Sequence, residues 1–188
     1  MMMREAIFIV IAYLIGSIPT GFLLAKYVAG VDVREYGSGN IGATNVTRIL
    51  GKKLGALTLL VDVLKGFLVV CGATFYGFPV SFSAGAVLTG NCFSLFLKGR
   101  GGKGVATSLG VCLALSPLYV GVALATYSLF FGVGRVSAAG SLAAAISVIS
   151  LAYFRSDPHF YLYVFMAAMV IFRHSSNIKE MYEKFFRK

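Results

Sequence analysis

The sequence predicts an all-α, polytopic integral membrane protein with seven transmembrane helices, some of them short. Three observations predict it. The chain of 188 residues is 58% hydrophobic and only 13% charged, whereas soluble domains carry about 25% charged residues. Apolar runs of about twenty residues recur along it. They are continuous rather than alternating, which argues against a transmembrane barrel and leaves helices as the way to satisfy the backbone in lipid. Finally, Lys and Arg gather in alternate connections. No internal repeat, soluble domain or low-complexity linker interrupts the pattern, so the whole chain, residues 1–188, reads as one membrane-embedded domain.

The first apolar run predicts a helix over residues 5–28. It is too long for the apolar core of a signal peptide, and no convincing cleavage site precedes a soluble region. Gly16-Ser17-Ile18-Pro19 interrupts it, and Pro in mid-membrane kinks a helix and frees a carbonyl. A polar segment, residues 30–53, follows. A second helix covers 54–76 and a third 80–96, closed by Lys98-Gly99-Arg100-Gly101-Gly102-Lys103-Gly104. Residues 105–133 hold Ser116-Pro117 in their middle; one span is comfortable there and two are short. Charge decides for two, 105–115 and 117–131, because a single span would send the basic C-terminal tail outside. A sixth helix covers 137–154 and a seventh 160–172, before a short basic tail.

This topology places fourteen Lys and Arg residues on one face and two, Arg4 and Arg155, on the other, with Lys65 inside the second helix. The positive-inside rule then predicts an external N-terminus and a cytoplasmic C-terminus. Loops facing anionic lipid account for the net charge of +10, with no need of nucleic acid. Cys71, Cys92 and Cys112 lie scattered in apolar surroundings without metal-ligand spacing and read as buried free thiols. His159, after Pro158 in an outside turn, reads as a surface residue.

Four polar segments fall on the predicted cytoplasmic face: residues 37–48, 98–104, 135–137 and 173–177. Each carries a strong donor, glycines bring the backbone close, and Asp32 and Glu35 are the only carboxylates nearby. A donor-rich site of this kind suits phosphate. Plain positive-inside loops would need charge but not glycine. The string Gly37-x-Gly39-x-x-Gly42 matches the dinucleotide fingerprint but follows no strand of a βαβ unit. Gly101-Gly102-Lys103-Gly104 lacks the spacing and the hydroxyl of a Walker A loop. Asp62 and Lys65, three apart on one helix face, read either as a structural ion pair or as support for the polar face. His174 sits among the donors as a general base or a phosphate-binding group; Lys179 stands where an acyltransferase His–Asp pattern would place its carboxylate.

Together these segments resemble the bacterial acyl-phosphate:glycerol-3-phosphate acyltransferase family, of the PlsY type. The resemblance rests on Gly16-Ser17-Ile18-Pro19, on Gly37-Ser38-Gly39-Asn40-Ile41-Gly42-Ala43-Thr44-Asn45-Val46-Thr47-Arg48, and on Asp62-Val63-Leu64-Lys65-Gly66. It continues through Gly101-Gly102-Lys103-Gly104-Val105-Ala106-Thr107, Val136-Ser137 and Arg173-His174-x-x-Asn177-Ile178. It implies a seven-helix enzyme of the bacterial inner membrane, active at the cytoplasmic face, that transfers a fatty acyl group from acyl phosphate to the 1-hydroxyl of glycerol 3-phosphate. The products are lysophosphatidic acid and phosphate, in the first acylation of phospholipid synthesis. No metal, organic cofactor or obligatory protein partner is implied. Ser38, Arg48, Lys103, His174 and Asn177 are implied as glycerol 3-phosphate binders, with Asn40 in the same substrate-binding set. Ser38, Lys103, Ser137 and His174 are the implied catalytic residues, and Gly101 and Gly102 cradle the phosphate of the acyl donor. Two positions depart from the family pattern: Asn91 stands where His is usual, and Ser176 where a charged residue is common.

The chemistry agrees with these residues. An acyl phosphate is already activated, so proximity and charge stabilisation suffice, without a Ser-His-Asp arrangement. A transporter of phosphorylated solutes would need polar groups on both faces. A lipid kinase would need carboxylates for Mg²⁺.

Overall fold

The computed structural model describes residues 2–186; Arg187 and Lys188 of the expected basic tail lie outside them. These residues form two compact units that divide after Pro117. The first contains α1 (Met3–Ser17), α2 (Thr20–Ala29), α3 (Ala43–Leu50), α4 (Lys52–Phe75), α5 (Val80–Cys92) and α6 (Val105–Leu115), with 3₁₀ turns at Val33–Glu35 and Leu95–Leu97. The second contains α7 (Pro117–Gly134, save its first residue), α8 (Ser137–Phe154), α9 (Phe160–Arg173) and α10 (Ser175–Phe186).

Four helical spans are long and apolar enough to cross a membrane: Lys52–Phe75, Val80–Leu97, Pro117–Gly134 and Ser137–Phe154. The pair Met3–Ser17 and Thr20–Ala29, bent by 41°, makes a fifth if it counts as one span, and among the described residues Val105–Leu115 and Phe160–Arg173 are shorter apolar helices. The expected boundaries at 105–115 and 137–154 coincide with α6 and α8. Elsewhere the structure adds helix. Residues 43–50, read as part of a polar loop, form α3, because Val46, Ile49 and Leu50 fall on one side and Thr44, Thr47 and Arg48 on the other. The tail residues likewise coil as α10. Cys71 is exposed on α4 rather than buried, while Cys92 and Cys112 are buried free thiols as expected.

The first unit is built on two antiparallel helix pairs, α1 with α5 and α4 with α6, each clasped through reciprocal glycines. A Cβ at Gly16 would overlap the Val87 carbonyl, and one at Gly90 would overlap the Tyr13 carbonyl. Likewise Gly66 lies under the Thr107 carbonyl and Gly110 under that of Val63. Lipid supplies no hydrophobic force between helices, so close backbone contact of this kind is what holds apolar helices together.

The break between α1 and α2 is fixed by a buried ion pair. Lys65 Nζ donates to the Ile18 carbonyl (2.6 Å), to Thr20 Oγ1 (2.6 Å) and to Asp62 Oδ1 (2.7 Å), and the Thr20 hydroxyl donates to Asp62 Oδ1 (2.9 Å). Ile18 caps the C-terminus of α1 and Thr20 opens α2. The cation therefore meets the negative end of one helix dipole and the carboxylate lies by the positive end of the next. Of the two readings of this pair, the structural one holds directly.

In the second unit α8 and α9 pack together across a short turn. Asp157 secures that turn: Oδ2 accepts from the Tyr119 hydroxyl (2.6 Å) and Oδ1 from the His159 backbone N–H (2.8 Å). His159, expected at the surface, is partly exposed. Tyr119 also packs on Tyr163, ring centroids 4.8 Å apart.

Removing one partner of the buried pair leaves an uncompensated charge. Lys65→Met is expected to cost about 3 kcal/mol or more, and Asp62→Leu combined with Lys65→Met to recover most of it. Thermal unfolding in detergent checks this; a Lys65→Met protein as stable as wild type would refute the role of the pair.

Candidate active site

The segment ahead of α3 is folded around one buried amide. Asn45, 2% exposed, donates through Nδ2 to the carbonyls of Asn40 (2.9 Å), Tyr36 (3.0 Å) and Val33 (3.2 Å), while Oδ1 accepts the Ser38 N–H (2.9 Å). One side chain thus satisfies four backbone groups that a loop would otherwise leave to water. Gly37 takes φ 60° and Gly39 φ 68°, the left-handed region open to glycine. A Cβ at Gly37 would strike Asn45 Oδ1 and stand 3.4 Å from Arg48 Cδ and Nη1. The Arg48 side chain thus lies against the loop at Gly37. Both Ser38 and Arg48 are exposed. Asn40 turns its Oδ1 to the Gly42 N–H (2.8 Å) and so shapes the entry to α3.

This loop stands on a small core of Ala25, Val33, Ile41, Val46 and Leu97, flanked by Phe22, Ile49 and Leu54. A Cβ at Gly21 would overlap the Ile41 carbonyl, so α2 carries the loop by backbone contact. Asp32 and Arg34 pair at 2.5 Å, with the guanidinium 4.8 Å above the Phe22 ring. The hydrogen bond from Arg34, aided by its charge, lowers the Asp32 carboxyl to about 2. One of the two acids near the segment is thereby paired rather than turned on an incoming anion.

The second glycine loop is tied to the first through Leu97 and to α1 through α5. Ser94 Oγ donates to the Ser17 carbonyl and Tyr13 OH to the Phe93 carbonyl (2.9 Å). Gly101 and Gly102 are buried against the end of α5. A Cβ at Gly101 would overlap the backbone of Asn91 and Cys92, and the Gly102 N–H donates to the Asn91 carbonyl (2.8 Å). That amide is engaged inside the loop, which refines the expectation of a glycine cradle: Gly102 contributes close approach, not its N–H. Asn91 therefore lies directly behind the loop. Lys103 is half-buried, one residue before Gly104, which takes φ 80° and caps α6.

The other expected residues belong to the second unit. Ser137 opens α8 and His174 closes α9; since α8 and α9 are adjacent and joined by a short turn, these termini lie at the same end. His174 is 3% exposed. Its Nδ1 is 2.8 Å from the Val170 carbonyl; a carbonyl only accepts, so Nδ1 carries the proton and Nε2 is the basic nitrogen of the neutral ring. Asn177 lies half-buried on α10, one turn beyond His174, with Nδ2 3.5 Å from Glu180 Oε2. Ser137 Oγ is 2.9 Å from the Tyr127 hydroxyl. Before it, Arg135 takes φ 52°, a left-handed geometry that costs a residue with a Cβ about 1 kcal/mol.

Sequence reasoning places Asn45 inside the anion segment without giving it a role. The available signal is an amide preceding Val46 and Ile49, which mark the buried side of α3. Tyr127 leaves no such signal, because its contact with Ser137 crosses a turn.

Asn45→Ala would strand the Ser38 N–H and three carbonyls. It is expected to lower stability by about 2 kcal/mol and to remove activity, measured by thermal unfolding and turnover. A second expectation follows from Asp32. Its folded value lies below its unfolded one, so the pairing stabilises the loop fully above about pH 4 and is lost as pH falls through about 2. Loop protection in hydrogen exchange should fall across that window in wild type and be flat in Asp32→Asn.

Known proteins supply the remaining constraint. The model of the glycerol-3-phosphate acyltransferase family matches residues 6–184. A glycerol-3-phosphate acyltransferase of Endomicrobium trichonymphae is 43% identical over 188 residues, covering 97% of this chain and 94% of its own. The crystal structure of PlsY, an integral membrane glycerol 3-phosphate acyltransferase, in its glycerol 3-phosphate form superposes with a TM-score of 0.89 at 36% identity, covering 95% of this chain and 92% of that one. Its lysophosphatidic acid form gives 0.87 at 35% identity, covering 95% and 91%. With its two glycine loops, its apolar helices and this likeness along nearly its whole length, the chain belongs to the glycerol-3-phosphate acyltransferase family.

Proposed function

We propose that this protein transfers a fatty acyl group from acyl phosphate to the 1-hydroxyl of glycerol 3-phosphate at the cytoplasmic face of the bacterial inner membrane. The observation that carries the reading is the Gly37–Arg48 geometry: Arg48 lies against Gly37 in a loop that Asn45 ties down, and the next residue, Ser38, is exposed. That arrangement offers charge and hydrogen bonds to one phosphate. The half-buried Lys103, at the glycine loop that caps α6, offers charge to a second. The forms in which the PlsY relative was crystallised, with glycerol 3-phosphate and with lysophosphatidic acid, match the substrate and product of this transfer.

In the reaction, Ser38 and Arg48 hold glycerol 3-phosphate with its 1-hydroxyl towards the acyl donor; the family resemblance assigns His174 and Asn177 to the same substrate. Lys103 neutralises the acyl phosphate, whose phosphate rests against Gly101 and Gly102. The glycerol oxygen attacks the carbonyl carbon directly. A new C–O ester bond forms, the bond from carbonyl carbon to phosphate oxygen breaks, and the hydroxyl proton leaves with the phosphate. Ser137 donates a hydrogen bond to the acyl phosphate. The work is that of positioning and charge stabilisation. The bent pair, the four long spans and the two short helices make seven crossings. The excess of Lys and Arg on one side supports an external N-terminus and a cytoplasmic C-terminus.

Purified protein given acyl phosphate should release phosphate only when glycerol 3-phosphate is present. Arg48→Ala and Lys103→Ala should each lower the rate at least about a hundredfold while leaving the unfolding temperature unchanged. Release without glycerol 3-phosphate would point to hydrolysis, and a trapped acyl-Ser137 would overturn direct attack.

A further inference from the structure

Tyr127 is held more firmly than a lipid-side tyrosine needs to be. Its ring stacks on Phe131 one turn away, centroids 5.7 Å apart and planes within 11°. On the facing helix stands Gly140, where a Cβ would press on the ring at 2.8 Å from Cδ2 and 3.1 Å from Cε2, and on the Tyr127 carbonyl at 2.9 Å. Gly140 lies three residues after Ser137, on the same side of α8. The close approach that this glycine allows brings the phenol oxygen to 2.9 Å from Ser137 Oγ. The backbone of Ser137 is fixed as well: its carbonyl accepts from Ser141 Oγ (3.0 Å), and Arg135 makes the tight turn before it.

We propose that Tyr127 is a positioning residue for acyl transfer: it donates to Ser137 Oγ and so aims the Ser137 proton at an oxygen of the acyl phosphate. A serine hydroxyl has one proton. With the phenol donating, that proton is turned away from α7 and is free for substrate. A hydroxyl that accepts one hydrogen bond also becomes a stronger donor in the next. No bond is made or broken by Tyr127. The inference rests on the reading above that Ser137 touches the acyl donor.

Turnover of the full-length protein in detergent tests it. Tyr127→Phe removes only the oxygen. It is expected to lower kcat about tenfold and to leave KM for both substrates within about twofold. Ser137→Ala is expected to lower kcat further, and Tyr127→Phe with Ser137→Ala to match Ser137→Ala alone, since both act through one hydroxyl. An impaired Ser137→Ala protein beside a fully active Tyr127→Phe protein overturns the role of Tyr127 alone. A double variant that is slower again by the Tyr127→Phe factor does the same. A fully active Ser137→Ala protein overturns the reading of Ser137 itself, and this inference with it. Should Tyr127→Phe fail to fold, 3-fluorotyrosine at position 127 keeps the ring and strengthens the donor. A kcat changed about twofold then supports the proposal, and an unchanged kcat overturns it.

Discussion

The first unit depends on what happens at Ile18 and Thr20. A helix broken inside a membrane exposes a carbonyl end and an amide end where no water can serve them. From one face of a neighbouring helix, Lys65 takes the Ile18 carbonyl and Asp62 takes the Thr20 hydroxyl at the start of α2. Two neighbours of the break then set the loops. Ser17, at the end of α1, receives Ser94 and so holds the start of the second glycine loop. Gly21, in the first turn of α2, receives the backbone of Ile41 and so holds the first. A charged pair that looks costly by depth alone is therefore the point from which both polar loops take their position. Its stabilisation is more of geometry than of energy, since buried pairs rarely exceed the desolvation they incur.

The loops share one logic. Each is tied down from behind. The Asn45 side chain engages four backbone groups of the first loop, and the main-chain carbonyl of Asn91 takes the Gly102 N–H of the second. What remains at the front is cationic: Arg48 on one, Lys103 on the other. Asp32, one of the two acids near the first loop, is paired with Arg34. On the proposed function, such a site would act by having its charge in place before the reaction begins.

Much of this was legible in the residues. Continuous apolar runs bound α4, α6 and α8 to within a few residues, because lipid imposes length directly. The interruption at Gly16–Pro19 announced the bend. The glycine-rich strings announced both loops. What stayed hidden was tertiary. The helix at 43–50 is short, and its polar string reads as loop until the apolar side of Val46 and Ile49 is seen against α2 and α4. Asn45 looks like one more donor for a ligand, although it is buried and committed to backbone. Ser137 and Tyr127 meet only because α7 and α8 turn back on each other at Arg135. Cys71 faces outward, which hydropathy could not tell, because apart from its Asp62–Lys65 face α4 is apolar around most of its surface.

The glycine clasps bear on that last difficulty. Helices as uniformly apolar as α4 and α6 carry almost no directional hydrophobic signal, so a small slide of one along the other changes little in solvation. The clasps supply a ruler instead. Slid by one residue, a partner would press a Cβ into a backbone carbonyl, and no rotamer can relieve a clash with main chain. Alignment of the paired helices is thus decided by steric exclusion rather than by attraction, and it is graduated in single residues along the helix axis.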